Sequence, residues 1–322
     1  MNGALTAVAR NATGLAELIG ALAVVAGGLV AGQPAAAAPA QVMPQAAPVI
    51  TGLQRVLAFS LTDSNSPKSA TAKCPLGKVV IGGGGRAFEL TSTPTGRLTL
   101  TQLEPSEIIY GPEGIRQGYR VRAAETGSGT FFNWRVVAYA MCADAGSVSN
   151  IDIKVAATDA SSDPVQATAA VCPSGQRALG SGARINNQSG HQVGLQVARA
   201  SGTGDITRAQ AHEDADGFLG NWNLVAFAVC ADRPPGYEVK YGESRDRLSE
   251  TVKTASAYCS GGRRLLGSGA AITNVAPGNV SLQKVRPAST EGPTEAEARE
   301  NVPTSQPWDF IVAQSVCAFA TN

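Results

Sequence analysis

Charge is scarce in this chain: Asp, Glu, Lys and Arg make up 16% of its 322 residues, and aromatic residues only 5%. A soluble domain usually carries about a quarter charged residues. The formal net charge is +1, so the clustered basic excess that grips nucleic acid is missing and no nucleic-acid partner is expected. Histidine is almost absent, with only His191 and His212. No two cysteines stand in the C-x2-C spacing of a metal site, so neither a metal nor another cofactor is expected. The G-x-S-x-G turn that presents a nucleophilic serine is missing. Beyond residue 40 no apolar run approaches the roughly 20 residues of a membrane span. What is abundant is glycine, 36 residues, together with serine and threonine: the profile of a turn-rich β protein.

Residues 1–40 differ from the rest. They hold one Arg (Arg10), one Glu (Glu17) and the apolar run "LIGALAVVAGGLVAG" over residues 18–32. Ala38-Pro39-Ala40 has the small-x-small pattern of a signal-peptidase site, so 1–40 reads as a secretory signal peptide; an uncleaved anchor is the other reading. Residues 41–52 read as a disordered linker. The address expected is secreted, extracellular or associated with the cell envelope. All six cysteines lie beyond the signal segment, and an even number in an exported chain reads as disulfides.

The chain repeats itself. "CPLGKVVIGGGGRA" begins at Cys74, "CPSGQRALGSGARI" at Cys172 and "CSGGRRLLGSGAAI" at Cys259, each with glycines three, eight and ten residues after the cysteine. A second signature follows: "WRVVAYAMCA" from Trp134, "WNLVAFAVCA" from Trp222 and "WDFIVAQSVCA" from Trp308. The second and third copies run at a constant offset of 87 residues; the first carries ten extra residues, placed in "EIIYGPEGI". Three repeats result, 53–145, 146–233 and 234–322. They imply the bridges Cys74–Cys142, Cys172–Cys230 and Cys259–Cys317, each closing its own repeat.

Within a repeat the apolar pattern has period two. In "WNLVAFAVC", Trp222, Leu224, Ala226, Ala228 and Cys230 share one face while Val225, Phe227 and Val229 share the other, as in a strand covered on both sides. Trp308 stands nine residues before its cysteine rather than eight, which predicts a β-bulge near Asp309. Five or six short strands per repeat are expected, separated by Gly, Pro, Asn and Asp turns. The fold class is all-β: three Greek-key-like units about a pseudo-threefold axis, like a β-prism. Three small β-sandwiches in tandem are the alternative.

These signatures resemble a group of secreted, mostly uncharacterised actinobacterial proteins with C-P-x-G-x4-G-G-G early and W-x-V-x-A-x-A-x-C-A late. The resemblance covers 74–142, 172–230 and 259–317. The third copy departs at Ser260 and Gln314. A more distant likeness is to the vitelline membrane outer layer protein, a threefold β-prism. Both likenesses imply a fold and an exported location, and neither brings a catalytic motif.

Two sets of residues are candidates for binding. Trp134, Trp222 and Trp308 are sugar-stacking platforms if exposed, and core if not. Glu125, Glu213 and Glu300 each follow an alanine by two residues, which places a carboxylate on the small apolar face of a strand. There it needs a partner such as a backbone N–H, an indole N–H or an Arg. "EDADG" at 213–217 has only a faint likeness to a calcium loop. The glycine run lacks the Lys-Ser/Thr and the helix of a phosphate loop; its glycines instead predict close approach of a large neighbour, the repeat's own tryptophan. The reading that follows is a secreted, non-catalytic, disulfide-stapled β protein in a binding or structural role, with a glycan or cell-wall polymer as its partner. One alternative is an extracellular hydrolase using carboxylates, which needs two acids about 5–10 Å apart. Another is an inhibitor or toxin acting through the first-repeat insertion.

Overall fold

The computed structural model describes residues 48–109, 116–187, 192–244, 251–273, 279–301 and 308–322. The signal segment, most of the segment read as a linker, His191 and the tip of the first-repeat insertion lie outside them. Each repeat supplies six strands. In the first these are β1 (Gln54–Phe59), β2 (Lys68–Lys73), β3 (Lys78–Glu89), β4 (Leu98–Ile109), β5 (Arg116–Glu125) and β6 (Trp134–Asp144). The second has β7 (Asp152–Ala157), β8 (Val165–Val171), β9 (Gln176–Asn186), β10 (Val193–Ala200), β11 (Ile206–Glu213) and β12 (Asn223–Asp232). The third has β13 (Glu238–Glu243), β14 (Val252–Ala257), β15 (Arg264–Thr273), β16 (Val280–Pro287), β17 (Thr294–Glu300) and β18 (Phe310–Ala318). The ten extra residues of the first repeat lengthen its β4–β5 hairpin, which pairs as far as Ile109 opposite Arg116.

The strands form three six-stranded antiparallel sheets, and every sheet joins halves of two repeats. Their orders are β1-β6-β3-β16-β17-β14, β2-β5-β4-β9-β12-β7 and β13-β18-β15-β10-β11-β8. The first, sixth and third strands of one repeat always pair with the fourth, fifth and second strands of another. The seams are short: Val285 opposite Gly85, Leu103 opposite Ala183, and Ala198 opposite Ala270. Tandem sandwiches are therefore excluded, because no repeat owns a whole sheet. Residues 48–52 also depart from the free linker expected there. Ile50 is buried and bridges to Ala320, and the Leu53 N–H donates to the Thr321 carbonyl.

All three disulfides have the expected pairing, Cys74–Cys142, Cys172–Cys230 and Cys259–Cys317. In each, the first cysteine follows an edge strand of one sheet and the second lies in an inner strand of another. The three bridges thus tie the three sheets pairwise in a closed ring.

The glycine signature is explained by the threefold arrangement. The glycines three residues after the cysteine, Gly77, Gly175 and Gly262, turn the chain at φ 79°, 85° and 74°, a region that side chains with a Cβ rarely adopt. At eight residues, Gly82, Gly180 and Gly267 gather where the three repeats meet. A Cβ on Gly82 would lie 2.8 Å from the Gly267 Cα and 3.5 Å from the Gly180 Cα. At ten residues, Gly84, Gly182 and Gly269 face carbonyls of the neighbouring repeat, those of Val285, Leu103 and Ala198. Gly180 and Gly182 do lie in a strand, β9, but Trp222 is not the neighbour they make room for. Other repeats' backbones are, and the aromatic ring opposite Gly182 is Phe227.

The residue before each axial glycine is a bulge. Ile81, Leu179 and Leu266 are each skipped in the ladder and are fully buried. An extra residue in one strand kinks it and re-aims its side chain, which here sends a large aliphatic group into the core beside the axis. Around the axis Ser181 donates to the Ser268 carbonyl at 3.2 Å and Ser268 to that of Gly83. Gly83 has no hydroxyl to continue this ring. The buried Tyr119 packs against it and donates to the Ser181 carbonyl at 2.7 Å. The bulge expected at Asp309 is not in the ladder. β18 begins at Phe310, opposite Thr273, and the extra residue lies ahead of it.

Candidate functional site

The repeated acids and tryptophans come together as three equivalent pairs. The indole N–H of Trp134 donates to Glu125 Oε1 at 2.7 Å, that of Trp222 to Glu213 at 2.9 Å, and that of Trp308 to Glu300 at 3.2 Å. The alternation of the fifth strand turns each acid inward at its end, and the tryptophan lies at or just before the start of the sixth strand. The three indoles are 0%, 0% and 1% exposed. They are core, with no ring face left for a sugar, so the stacking platforms considered from sequence are not formed.

The acids are also committed locally. Glu213 Oε2 accepts the Phe218 N–H at 3.0 Å, and Glu125 Oε2 accepts that of Thr130 at 3.4 Å. Glu300 differs in lining an open pocket of about 270 Å³ with Arg97, Arg299 and Asn301. The "EDADG" segment closes on itself as a turn, with Asp214 accepting the Asp216 N–H at 3.2 Å and Glu213 held by Trp222. Burial raises the Asp214 carboxyl to about 6 and lowers the imidazole of His212, which contacts Gln210. Among the described residues no group of three potential ligands could hold a metal ion.

Sequence reasoning missed a further repeated position, six residues before the first cysteine. Lys68, Gln166 and Lys253 occupy it and all three are buried. Lys68 Nζ lies 4.9 Å from the Trp134 ring centroid and Lys253 Nζ 4.5 Å from that of Trp308, in cation–π geometry. Gln166 donates to the Trp222 carbonyl at 2.7 Å. The offset was visible in the repeats. Its parity matches the buried face, as Lys68 shares a side with Ala70 and Ala72, but the indole that covers it belongs to another sheet.

A strut of this kind predicts its own cost. Glu213→Ala leaves the buried Trp222 N–H and the Phe218 amide without their acceptor, and is expected to lower stability by about 1–3 kcal/mol. Glu213→Gln keeps one oxygen for the indole and should lose less than half as much in denaturant melts. Equal losses for the two variants would mean that the indole bond does not carry the effect.

A cavity of about 390 Å³ opens elsewhere, on the sheet formed by β8, β10 and β11, lined by Ala167, Thr168, Ala169, Val197, Arg199, Arg208, Ala209 and Gln210. None of the six predicted residues touches it. The chain matches no protein-family model and no curated protein. Fold and site together define a triplicated, disulfide-ringed β-prism-like protein whose repeated polar residues brace the core. Among the described residues no helix is long and apolar enough to cross a membrane.

Proposed function

We propose that this chain is a secreted, non-catalytic binding or structural protein acting at the cell envelope or outside the cell, with a saccharide polymer as its ligand class. The observation that carries this reading is the use of all three repeated acids as acceptors for buried indoles. Threefold repetition here serves a scaffold, and an asymmetric set of groups poised on one bond has no counterpart in it. The ring of three disulfides suits an oxidising compartment. The three sheets each offer an outer face for binding.

The reading is tested by glycan-array binding and by pull-down on purified cell-wall polymers, using folded protein. Retention on at least one polymer, without its degradation, is the expected outcome. Absence of retention on every polymer, with melting behaviour intact, overturns it. So does release of shorter saccharides that is abolished by Glu300→Gln.

A further inference from the structure

The three outer faces are related by symmetry, so a position that breaks the symmetry stands out. On one sheet Arg286 is opposite Glu295 across β16 and β17, and the two form an ion pair at 2.8 Å. On the second, Glu104 is opposite Arg120 across β4 and β5. On the third, the same positions of β10 and β11 hold Arg199 opposite Arg208. Like charges directly opposite on a sheet destabilise it, and two sheets avoid this while the third does not. Among the described residues neither Arg199 nor Arg208 has a carboxylate partner; Arg199 lies 5.6 Å from the Tyr241 ring centroid.

The surrounding positions change in the same direction. The cross-strand pair Lys284 and Glu297, ion-paired at 3.1 Å on one sheet, is replaced by Val197 opposite Gln210. On edge strand β8, Ala167 and Ala169 stand where the other repeats have Ser69 and Thr71, or Thr254 and Ser256. Small apolar residues replacing long charged and hydroxyl-bearing ones leave the 390 Å³ cavity, with Arg199 and Arg208 in its lining beside Ala167 and Ala169. That volume falls within the usual range for small-molecule sites.

We infer that this cleft binds an acidic saccharide: a sugar ring seated against Ala167, Ala169 and Val197, with its carboxylate, sulfate or phosphate held between Arg199 and Arg208. Guanidinium forks match such oxyanions bidentately, and a bound anion converts a repulsive pair into a bridged one. The inference rests on the saccharide-binding reading above and names the face and ligand charge.

The test uses titration calorimetry on the full chain with four oligosaccharides of matched length: a uronate, a sulfated, a phosphodiester-linked and a neutral one. At least one acidic oligosaccharide is expected to bind, with affinity that falls as salt rises, and the arm that binds identifies the anion. Arg208→Glu recreates the opposite-charge pair seen at Arg286 and Glu295, so the variant should fold with an unchanged or slightly raised melting midpoint. It should lose roughly tenfold or more in affinity. Unchanged affinity in Arg208→Glu, with the fold intact, overturns the inference. Wild-type binding of the neutral oligosaccharide alone also overturns it, while leaving the saccharide-binding reading in place. Binding of none of the four overturns the inference, while the saccharide-polymer reading stands or falls on the array and pull-down.

Discussion

Gly180→Ala is expected to cost about 3 kcal/mol or more, at the upper end of what overpacking does to a core. The added Cβ would lie 2.5 Å from the Gly82 Cα and 2.6 Å from the Ile81 carbonyl oxygen. Both are backbone atoms of another repeat, held in their own ladder, so no side chain can rotate away. The strain would act where all three sheets meet. Gly175→Ala tests a different mechanism, since nothing lies within 4 Å of its Cβ and only the positive φ opposes it. That variant should lose clearly less, on the order of 1 kcal/mol. Urea melts of both variants distinguish the cases, and a Gly180→Ala loss no larger than that of Gly175→Ala would refute the axial contact.

Removing one bridge, as in the double variant Cys172→Ser with Cys230→Ser, is expected to cost about 4 kcal/mol. The chain-entropy model gives that figure for a closed loop of the size set by the 58-residue separation. For a domain of this size the melting midpoint should fall by roughly 10 °C. The three loops do not overlap in sequence, so the unfolded-state effects of removing two bridges should add. In the folded state the bridges form a ring between sheets, and opening it at one place leaves that pair of sheets linked by strand connections and packing without a bridge of their own. A loss well above the entropic figure would measure that contribution of the ring. A fall of less than about 2 °C would show that the bridge restrains little in the unfolded chain.

Much of the scaffold was legible before any coordinates. Period-two patterning located the strands of each repeat to within a few residues. Equal spacing between signatures selected one disulfide pairing out of fifteen, because a bridge that recurs in each copy must close each copy alike. The need of an inward-facing carboxylate for a donor pointed to the indole as one candidate partner, and the bond is there in all three copies. The paired change of Gly83 for serine and Tyr119 for threonine was also in the letters, both confined to the first copy. Nothing in the sequence said that those two positions touch.

By itself the sequence determined the number of repeats, the strand content, the bridges and the inward face of each strand, because these follow from period, spacing and solubility. Only the tertiary structure decided which repeat pairs with which. Backbone hydrogen bonds across the seam carry no side-chain signature, and the pattern shared by the three fourth strands does not single out one third strand as partner. The same choice turned the glycines from a pocket for tryptophan into an axis where three backbones meet. Within the second repeat the β10–β11 hairpin register, which no spacing in the chain encodes, set Arg199 beside Arg208.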